Sequence, residues 1–248
     1  MAKIAKISQA VILAGGRGTR LKPLTDHLPK PMVKAAGRPF LEYLIELLKE
    51  NGIKEVLLLL GYLSEKVIEH FGDGSRFGVK ISYHIGSAED LTGTRLKNSR
   101  HLLKGHFLLL YCDNYLPFNF KRALFDYERF KAPVTVTVYD NRNGGGEYGP
   151  LSNIEVDDNG MVKSYGSLTG DKSVWGLDIG FFIVSKSVID RLPDPIMWQE
   201  FLPELIKRRE LGAHVTSHPY YTMTDLKQLS RLEKFLSPKK IVFLDRDG

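Results

Sequence analysis

Cysteine is nearly missing from this sequence: its 248 residues contain one, Cys112. A single thiol excludes an intrachain disulfide and a cysteine-rich zinc site, and it fits a reducing cytoplasm. Long apolar runs are missing too, since no stretch approaches the roughly 20 residues that a membrane helix needs. The apolar run near the N-terminus, Ala10–Ala14, is too short for a signal peptide. We therefore predict a cytoplasmic protein without a membrane segment.

A strong excess of one charge is also lacking. Hydrophobic residues make up 43% of the chain and charged residues 26%, and the net charge is +6. These values are typical of a globular protein and exclude a long disordered one. The densest basic cluster, Lys207–Arg209, lies near the end of a predicted helix, where it suits the helix dipole. Without a basic stripe interleaved with aromatic residues, the sequence does not predict a nucleic-acid binder.

Short apolar runs alternate with helical periods along most of the chain. Helices are predicted at Phe40–Glu50, Glu65–Phe71, Leu96–Leu103, Phe118–Phe130, Lys186–Leu192, Gln199–Glu210 and Leu226–Leu236. Strands are predicted at Ala10–Leu13, Glu55–Leu60, Val79–His84, Phe107–Tyr111, Val134–Tyr139, Leu177–Val184 and Val215–Pro219. This order predicts an α/β protein with a Rossmann-like, doubly wound, mainly parallel sheet. Such sheets bind ligands at the carboxyl ends of their strands.

The pattern changes after Tyr139. Two short strands, Asn153–Val156 and Met161–Tyr165, flank the hairpin turn at 157–160 and predict a small β-rich insertion. Pro238 then breaks the chain. We predict one domain over residues 1–237, followed at 238–248 by a linker and the first strand of another domain.

A glycine-rich loop follows the first strand and reads G-G-R-G-T-R over Gly15–Arg20. Glycines let backbone amides approach a phosphate, and an arginine supplies a cation with several donors. The loop fits neither the P-loop pattern nor the dinucleotide-binding pattern. Taken alone, it is equally well explained as a tight turn. Lys30 stands between two prolines that restrict its backbone.

The longer segments Gly15–Thr25 (G-G-R-G-T-R-L-K-P-L-T) and Pro29–Met32 (P-K-P-M) resemble the sugar-phosphate nucleotidylyltransferases, and the resemblance extends over about residues 8–236. Such enzymes join a nucleoside triphosphate to a sugar 1-phosphate and release pyrophosphate. The resemblance implies that Arg20 holds the departing pyrophosphate and Lys30 the phosphates near the attacked phosphorus. It implies nucleotide binding by Ala14, Gly15, Gly16, Arg17, Gly18 and Thr19. No general base is needed, because the attacking phosphate is already ionised, with a second pKa of about 6.

The resemblance also implies Mg²⁺ as cofactor. Asp113 follows an apolar strand, in the place of the family's first metal ligand. The family's second metal aspartate lies in D-I-G-T, where this chain has Thr222–Asp225. Asp225 is the nearest carboxylate, and it also suits the cap of the helix that starts at Leu226. Both roles remain open, and magnesium needs only one or two carboxylates beside phosphates and water.

Residues for the base and the sugar follow from weaker matches. Glu89 and Gly93 are the candidates for the nucleotide base, within Ala88–Arg95. Arg95 is outside the family pattern, and we expect it to meet a substrate phosphate or solvent. Gly149 and Asp178 are the candidates for sugar binding, although a strand-edge aspartate in water would also explain Asp178.

The last residues, Ile241–Gly248, resemble the start of a haloacid-dehalogenase-type phosphatase, whose two aspartates would be Asp245 and Asp247. Some phosphatases of this kind act on heptose bisphosphates. The tail therefore predicts a longer two-enzyme chain and, as substrates of the first enzyme, GTP and D-glycero-D-manno-heptose 1-phosphate. Mannose 1-phosphate, another sugar 1-phosphate, or a regulatory subunit that binds nucleotide without turnover are the alternatives. The sequence leaves a homo-oligomer open.

Overall fold

The computed structural model describes residues 7–117 and 119–237. The predicted second domain with Asp245 and Asp247 lies outside the described residues, as does Phe118. The strands are β1 Gln9–Ala14, β2 Lys34–Ala35, β3 Arg38–Pro39, β4 Glu55–Leu60, β5 Lys80–Ile85, β6 His106–Tyr111, β7 Asn114–Tyr115, β8 Val134–Asp140, β9 Ser152–Val156, β10 Val162–Thr169, β11 Gly176–Ser185, β12 Leu211–Thr216 and β13 Tyr221–Thr222. The α-helices are α1 Phe40–Glu50, α2 Ser64–Phe71, α3 Thr92–Asn98, α4 Lys121–Phe130, α5 Trp198–Lys207 and α6 Leu226–Leu236.

A nine-stranded sheet forms the centre of the molecule. The strands β5, β4, β1 and β6 lie side by side and parallel. Next to β6, the strand β11 runs antiparallel, and β8 and β12 extend the sheet beyond it. The hairpin β9–β10 joins at the first residue of β11 and is the predicted β-rich insertion. Because β11 reverses the direction, its first residues lie near the carboxyl end of β6.

Successive side chains of the strands pack into two hydrophobic cores, one on each face of the sheet. In β1, Ala10 and Ile12 belong to one core and Val11 and Leu13 to the other. Helices α1, α2, α4 and α6 cover the first face, whereas α3 and α5 cover the second. The predicted doubly wound α/β fold is therefore confirmed. None of the helices in the described residues is long and apolar enough to cross a membrane.

Two predicted elements lie elsewhere in the chain. The last long strand is Leu211–Thr216 and not Val215–Pro219, because it pairs in parallel with β8 from Leu211 onwards. The small residues Gly212 and Ala213 give this strand a weak hydrophobicity pattern. The helix predicted at Leu96–Leu103 begins earlier, at Thr92, and a separate turn of 3-10 helix follows at Arg100–Leu102.

Candidate active site

A cleft of about 410 Å³ opens at the carboxyl ends of β1 and β6. This is the edge at which parallel sheets bind ligands. The cleft brings together eight residues that the sequence predicted for the site: Gly15, Gly16, Gly18, Thr19, Arg20, Lys30, Glu89 and Asp113. The other predicted residues are not part of its lining: Ala14, Arg17, Gly93, Gly149, Asp178 and Asp225.

The glycine-rich loop reaches the cleft through a left-handed residue, Gly18, with φ of 62°. A Cβ there would lie 3.0 Å from the Cβ of Lys30 and 3.1 Å from the Cγ2 of Thr25, so glycine suits both the conformation and the packing. The Thr25 hydroxyl donates to the Gly18 carbonyl at 2.9 Å. A 3-10 turn, Thr19–Leu21, follows and leaves the Arg20 side chain exposed at the cleft. The loop therefore presents its arginine to a ligand.

Lys30 and Asp113 form an ion pair inside the cleft, with Nζ and Oδ2 2.5 Å apart. Their side chains are only 12% and 21% exposed, so little water screens the pair. Lys30 opens a 3-10 turn that contains Pro31, and Asp113 follows β6. The carbonyl of Asp113 accepts the backbone N–H of Met223 at 2.7 Å, which ties this strand end to the segment before α6. A cation and a carboxylate thus stand together, within reach of one substrate.

Two exposed side chains meet above the cleft. The guanidinium of Arg17 donates to Oε1 of Glu89, from Nη2 at 2.7 Å and from Nε at 3.0 Å. It also lies 5.2 Å from the centre of the Tyr62 ring. An exposed ion pair of this kind contributes little to stability. Both side chains can therefore turn to a ligand at small energetic cost.

Gly93 and Arg95 have roles that the sequence did not predict. The N–H of Gly93 donates to the carbonyl of Ile196 at 3.0 Å, and a Cβ on Gly93 would lie 2.8 Å from that oxygen. This glycine thus serves the packing of α3 against the segment before α5, away from the cleft lining. The expectation that Arg95 meets solvent is wrong, because its side chain is 3% exposed and donates to three backbone carbonyls. It lines the cleft, and contact with a substrate phosphate stays a prediction.

Asp178 is a half-buried, hydrogen-bonded carboxylate near the start of β11, not an aspartate in open water. Its Oδ1 accepts the N–H of Gly180 at 2.7 Å, and its Oδ2 accepts the hydroxyl of Tyr165 at 3.1 Å. Burial raises the pKa of Asp178 to about 6, although both hydrogen bonds act in the opposite direction. Gly149 lies in a loop held by Asn141, whose Nδ2 donates to the Gly149 carbonyl at 2.9 Å. Sugar binding by Asp178 and Gly149 stays a prediction.

Asp225 caps α6, as the sequence suggested for one of its two roles. Its Oδ1 accepts the backbone N–H of Gln228 at 2.9 Å. Thr224, its neighbour, lines the cleft and Asp225 does not. The described residues contain no cluster of three or more His, Cys, Asp or Glu side chains that would hold a metal. A second metal ligand at Asp225 stays a prediction.

The sequence missed several residues of the cleft: Leu13, Ala88, Asp90, Leu91, Thr92, Tyr111 and Met197. The hydroxyl of Tyr111 is buried. Burial raises its pKa well above the ordinary value. The position of Tyr111, at the end of a strand that leads to Asp113, could have predicted it as a residue of the cleft. No sequence pattern predicts Met197, because it reaches the cleft from a distant part of the chain.

Comparison with known proteins places the chain in a family. Residues 9–165 match the model of the nucleotidyl transferase family, to which this chain belongs. The D-glycero-alpha-D-manno-heptose 1-phosphate guanylyltransferase of Campylobacter jejuni is 30% identical over 208 residues, which cover 83% of this chain and 89% of the relative. The probable glucose-1-phosphate cytidylyltransferase of Bacillus subtilis is 29% identical and covers 83% and 87%. The crystal structure of HddC from Yersinia pseudotuberculosis superposes with a TM-score of 0.74, at 25% identity, over 92% of this chain and 100% of HddC.

These findings confirm the resemblance drawn from Gly15–Thr25 and Pro29–Met32. The chain is a sugar-1-phosphate nucleotidyltransferase by family, fold and relatives. The relatives act with different nucleotides, because one is named a guanylyltransferase and another a cytidylyltransferase. Neither the family nor the relatives therefore determine the base or the sugar.

Proposed function

We propose that this enzyme transfers GMP from GTP to D-glycero-D-manno-heptose 1-phosphate, with release of pyrophosphate. An oxygen of the sugar phosphate attacks the α-phosphorus of GTP, and the bond between the α-phosphorus and the oxygen that leads to the β-phosphate breaks. The observation that carries the reaction class is the meeting of Arg20, Lys30 and Asp113 in one cleft. The choice of substrates is supported by the Campylobacter relative, which matches this chain over most of both lengths.

The chain's own residues have a simple task in this reaction. Two polyanions must be brought into line while the charge that develops on the leaving group is neutralised. In the proposed mechanism, the exposed Arg20 binds the leaving pyrophosphate and Lys30 binds the phosphate at the attacked phosphorus. Backbone amides of Gly15, Gly16 and Gly18 approach the nucleotide without a Cβ in the way. No side chain has to remove a proton, because the attacking phosphate is already ionised.

The residues present fit a magnesium ion with few protein ligands. Asp113 offers a carboxylate in the cleft, and Mg²⁺ prefers one or two carboxylates, with phosphates and water completing its shell. When bound, the ion would neutralise phosphate charge in the transition state. Lys30 pairs with Asp113 in the cleft. In the proposed mechanism, Lys30 would hold a phosphate and Asp113 would hold the metal.

Mannose 1-phosphate is the alternative sugar, because it shares the pyranose ring and lacks only the extra carbon and hydroxyl. A regulatory subunit that binds nucleotide without turnover is the alternative from another class. The three charged residues Arg20, Lys30 and Asp113 favour an enzyme, because a binding protein does not need all of them at one cleft.

Pyrophosphate release tests the proposal, measured with GTP, CTP, UTP, ATP and dTTP against heptose, mannose and glucose 1-phosphates. We expect kcat/KM with GTP and the heptose 1-phosphate to exceed that with any glucose 1-phosphate pair by about 10²-fold or more, since a site built for a hydroxyl rejects substrates without it. The difference from mannose 1-phosphate should be smaller. A preference for glucose 1-phosphate with CTP, UTP or dTTP would overturn the substrate assignment. Nucleotide binding without release from any pair would favour the regulatory subunit.

A further inference from the structure

Arg95 lies at the floor of the cleft, beneath the glycine-rich loop. Its Nη1 donates to the carbonyl of Leu60 at 2.8 Å, and its Nη2 donates to the carbonyls of Ser87 at 2.5 Å and of Gly15 at 3.3 Å. These carbonyls stand at or just beyond the carboxyl ends of β4, β5 and β1. One planar guanidinium therefore bridges three neighbouring strands at the edge where ligands bind.

Two glycines make room for this guanidinium, and they directly follow β1 and β4. A Cβ on Gly15 would lie 2.2 Å from Cζ of Arg95, and a Cβ on Gly61 would lie 2.9 Å from both Nη1 and Nη2. A third glycine, Gly86, directly follows β5, and a Cβ there would clash with Oδ2 of Asp90, at 2.3 Å, and not with Arg95. The strand register places the three glycines side by side, since the residues before them pair: Ala14 with Leu60, and Leu60 with Ile85. The Gly15 that begins the phosphate-facing loop is thus fixed from below by Arg95.

In the described part of the chain, the guanidinium of Arg95 donates its hydrogen bonds to neutral groups, while the carboxylates of Asp90 and Glu89 act on it from beyond ion-pair distance. Its hydrogen bonds go to backbone carbonyls, and the ion pairs among residues 7–117 and 119–237 do not include it. Burial lowers the pKa of Arg95, and the charges of Asp90 and Glu89 oppose that effect. Arginine nevertheless stays charged in proteins. A buried cation is unfavourable unless a countercharge approaches it, and the cleft above is where a polyanion is expected to bind.

We propose that Arg95 is a positioning residue for the nucleotide. It holds the backbone of the glycine-rich loop in its binding conformation and supplies a buried cation whose countercharge is the triphosphate. This inference rests on the proposed function in one respect, namely that a nucleoside triphosphate occupies the cleft. It does not depend on the identity of the base or the sugar.

Three variants test the inference: Arg95→Met, Arg95→Lys and, as the matched control, Arg208→Met. Arg208 is an exposed arginine near the end of α5, paired with Glu204 at 2.7 Å. The dissociation constants of GTP, CTP and UTP are measured by calorimetric titration, and kcat and KM by pyrophosphate release. We expect Arg95→Met to raise the dissociation constant and KM of the accepted nucleotide by about tenfold or more, because the lost charge acts in a site of low dielectric. We expect kcat to stay within about threefold, as for a loss of uniform binding.

Arg95→Lys should fall between Arg95→Met and the wild type, because lysine keeps the charge but cannot bridge three carbonyls. Arg208→Met should bind as the wild type does. The ratio of dissociation constants between Arg95→Met and the wild type should also persist at high salt, because a buried charge is screened poorly.

A purely structural role would lower the melting temperature of Arg95→Met and leave the affinity of the folded protein unchanged, and that result would overturn the inference. If Arg95→Met does not fold, Arg95→Lys decides, and wild-type affinity in that variant would overturn the inference as well. A ratio of dissociation constants that falls to about one at high salt would also overturn the inference. A different result would contradict the proposed function: wild-type protein that binds nucleotide but releases no pyrophosphate from any pair of substrates.

Discussion

The two sides of the cleft are built in different ways. On the predicted nucleotide side, one short stretch from Gly15 to Lys30 supplies six of the eight predicted residues in the cleft lining, and Glu89 and Asp113 supply the other two. On the predicted sugar side, Gly149 and Asp178 come from separate segments, as does Asp225, the candidate second metal ligand, and the cleft lining includes none of the three. Phosphate is recognised by loop backbone and by one or two cations. A short motif can therefore specify its site, whereas a sugar site depends on contacts between distant segments.

The largest expected effect is at Asp113, which belongs to the nucleotide side. Asp113→Asn removes the carboxylate that we propose for magnesium and leaves Lys30 without its ion-pair partner. We expect Mg²⁺-dependent pyrophosphate release to fall by about 10³-fold or more, because metal stabilisation amounts to several kcal/mol. Asp158→Asn, in the exposed hairpin turn, is the control that neutralises a carboxylate elsewhere. Activity close to wild type in folded Asp113→Asn would remove the proposed metal site.

Arg20→Ala should have the next largest effect. The side chain is exposed and contributes little to stability, yet we expect kcat to fall by about 10²–10³-fold, as for the loss of one preorganised donor to developing charge. Thermal melting and turnover are measured in parallel, with Arg208→Ala as the control. An unchanged melting temperature together with unchanged turnover would break the assignment of the nucleotide side.

Asp178→Asn tests the predicted sugar side through its pH dependence. Burial raises the pKa of Asp178 to about 6 in the folded protein, above the value of about 4 in an unfolded chain. The folded state therefore binds this proton more tightly, and the stability that the group contributes below about pH 4 is lost as the pH rises through about 6.

At pH 8 the variant should then be more stable than the wild type, by roughly 2–3 kcal/mol for a shift of about two pKa units, and the difference should vanish at and below about pH 4. Denaturant unfolding at both pH values measures this. If Asp178 also binds sugar, the KM for the sugar 1-phosphate should rise in the same variant. A gain in stability with unchanged KM would show that the carboxylate has no part in sugar binding.

Asp225 should give the smallest effect, and two variants separate its roles. Asparagine caps a helix about as well as aspartate, whereas alanine does not. We expect Asp225→Ala to lower the free energy of unfolding by about 0.5–2 kcal/mol and Asp225→Asn to change it much less. Pyrophosphate release at varied Mg²⁺ concentration is then measured on Asp225→Asn. Weakened magnesium dependence in this stable variant is what the metal prediction requires, and an unchanged dependence would leave the cap as the residue's role.

The fold could be predicted well wherever local periodicity agrees with packing. The bounds of α1, β4 and α6 match the predicted ones. The two helices have an apolar face of helical period, and β4 is a short continuous apolar run that a glycine ends. The strand β12 was predicted in the wrong place because the small residues Gly212 and Ala213 weaken its apolar pattern, although both are buried and Gly212 lies against Phe130. Pairing with β8 determined this strand, and local propensity did not.

The site residues also divide into those that local motifs predict and those that depend on tertiary contacts. The positions of Arg20, Lys30 and Asp113 followed from motifs, but the use of Gly93 did not. The reason is that its neighbour, Ile196, is about a hundred residues away in the chain and meets it only through tertiary packing. Met197 reaches the cleft by the same contact. Arg95 could be recognised as a departure from the family pattern, yet its three carbonyl partners come from strand ends that only the folded sheet brings side by side.

The single cysteine makes this protein a convenient object for labelling experiments. Cys112 is buried next to Asp113, and burial raises the pKa of its thiol to about 12. The thiolate is the nucleophile that attacks an alkylating reagent, so this side chain should remain unmodified in the native protein. A cysteine placed at an exposed loop position such as Glu89 would then be the site that takes a fluorophore or spin label. Movements of the loops around the cleft can therefore be followed in the otherwise natural chain.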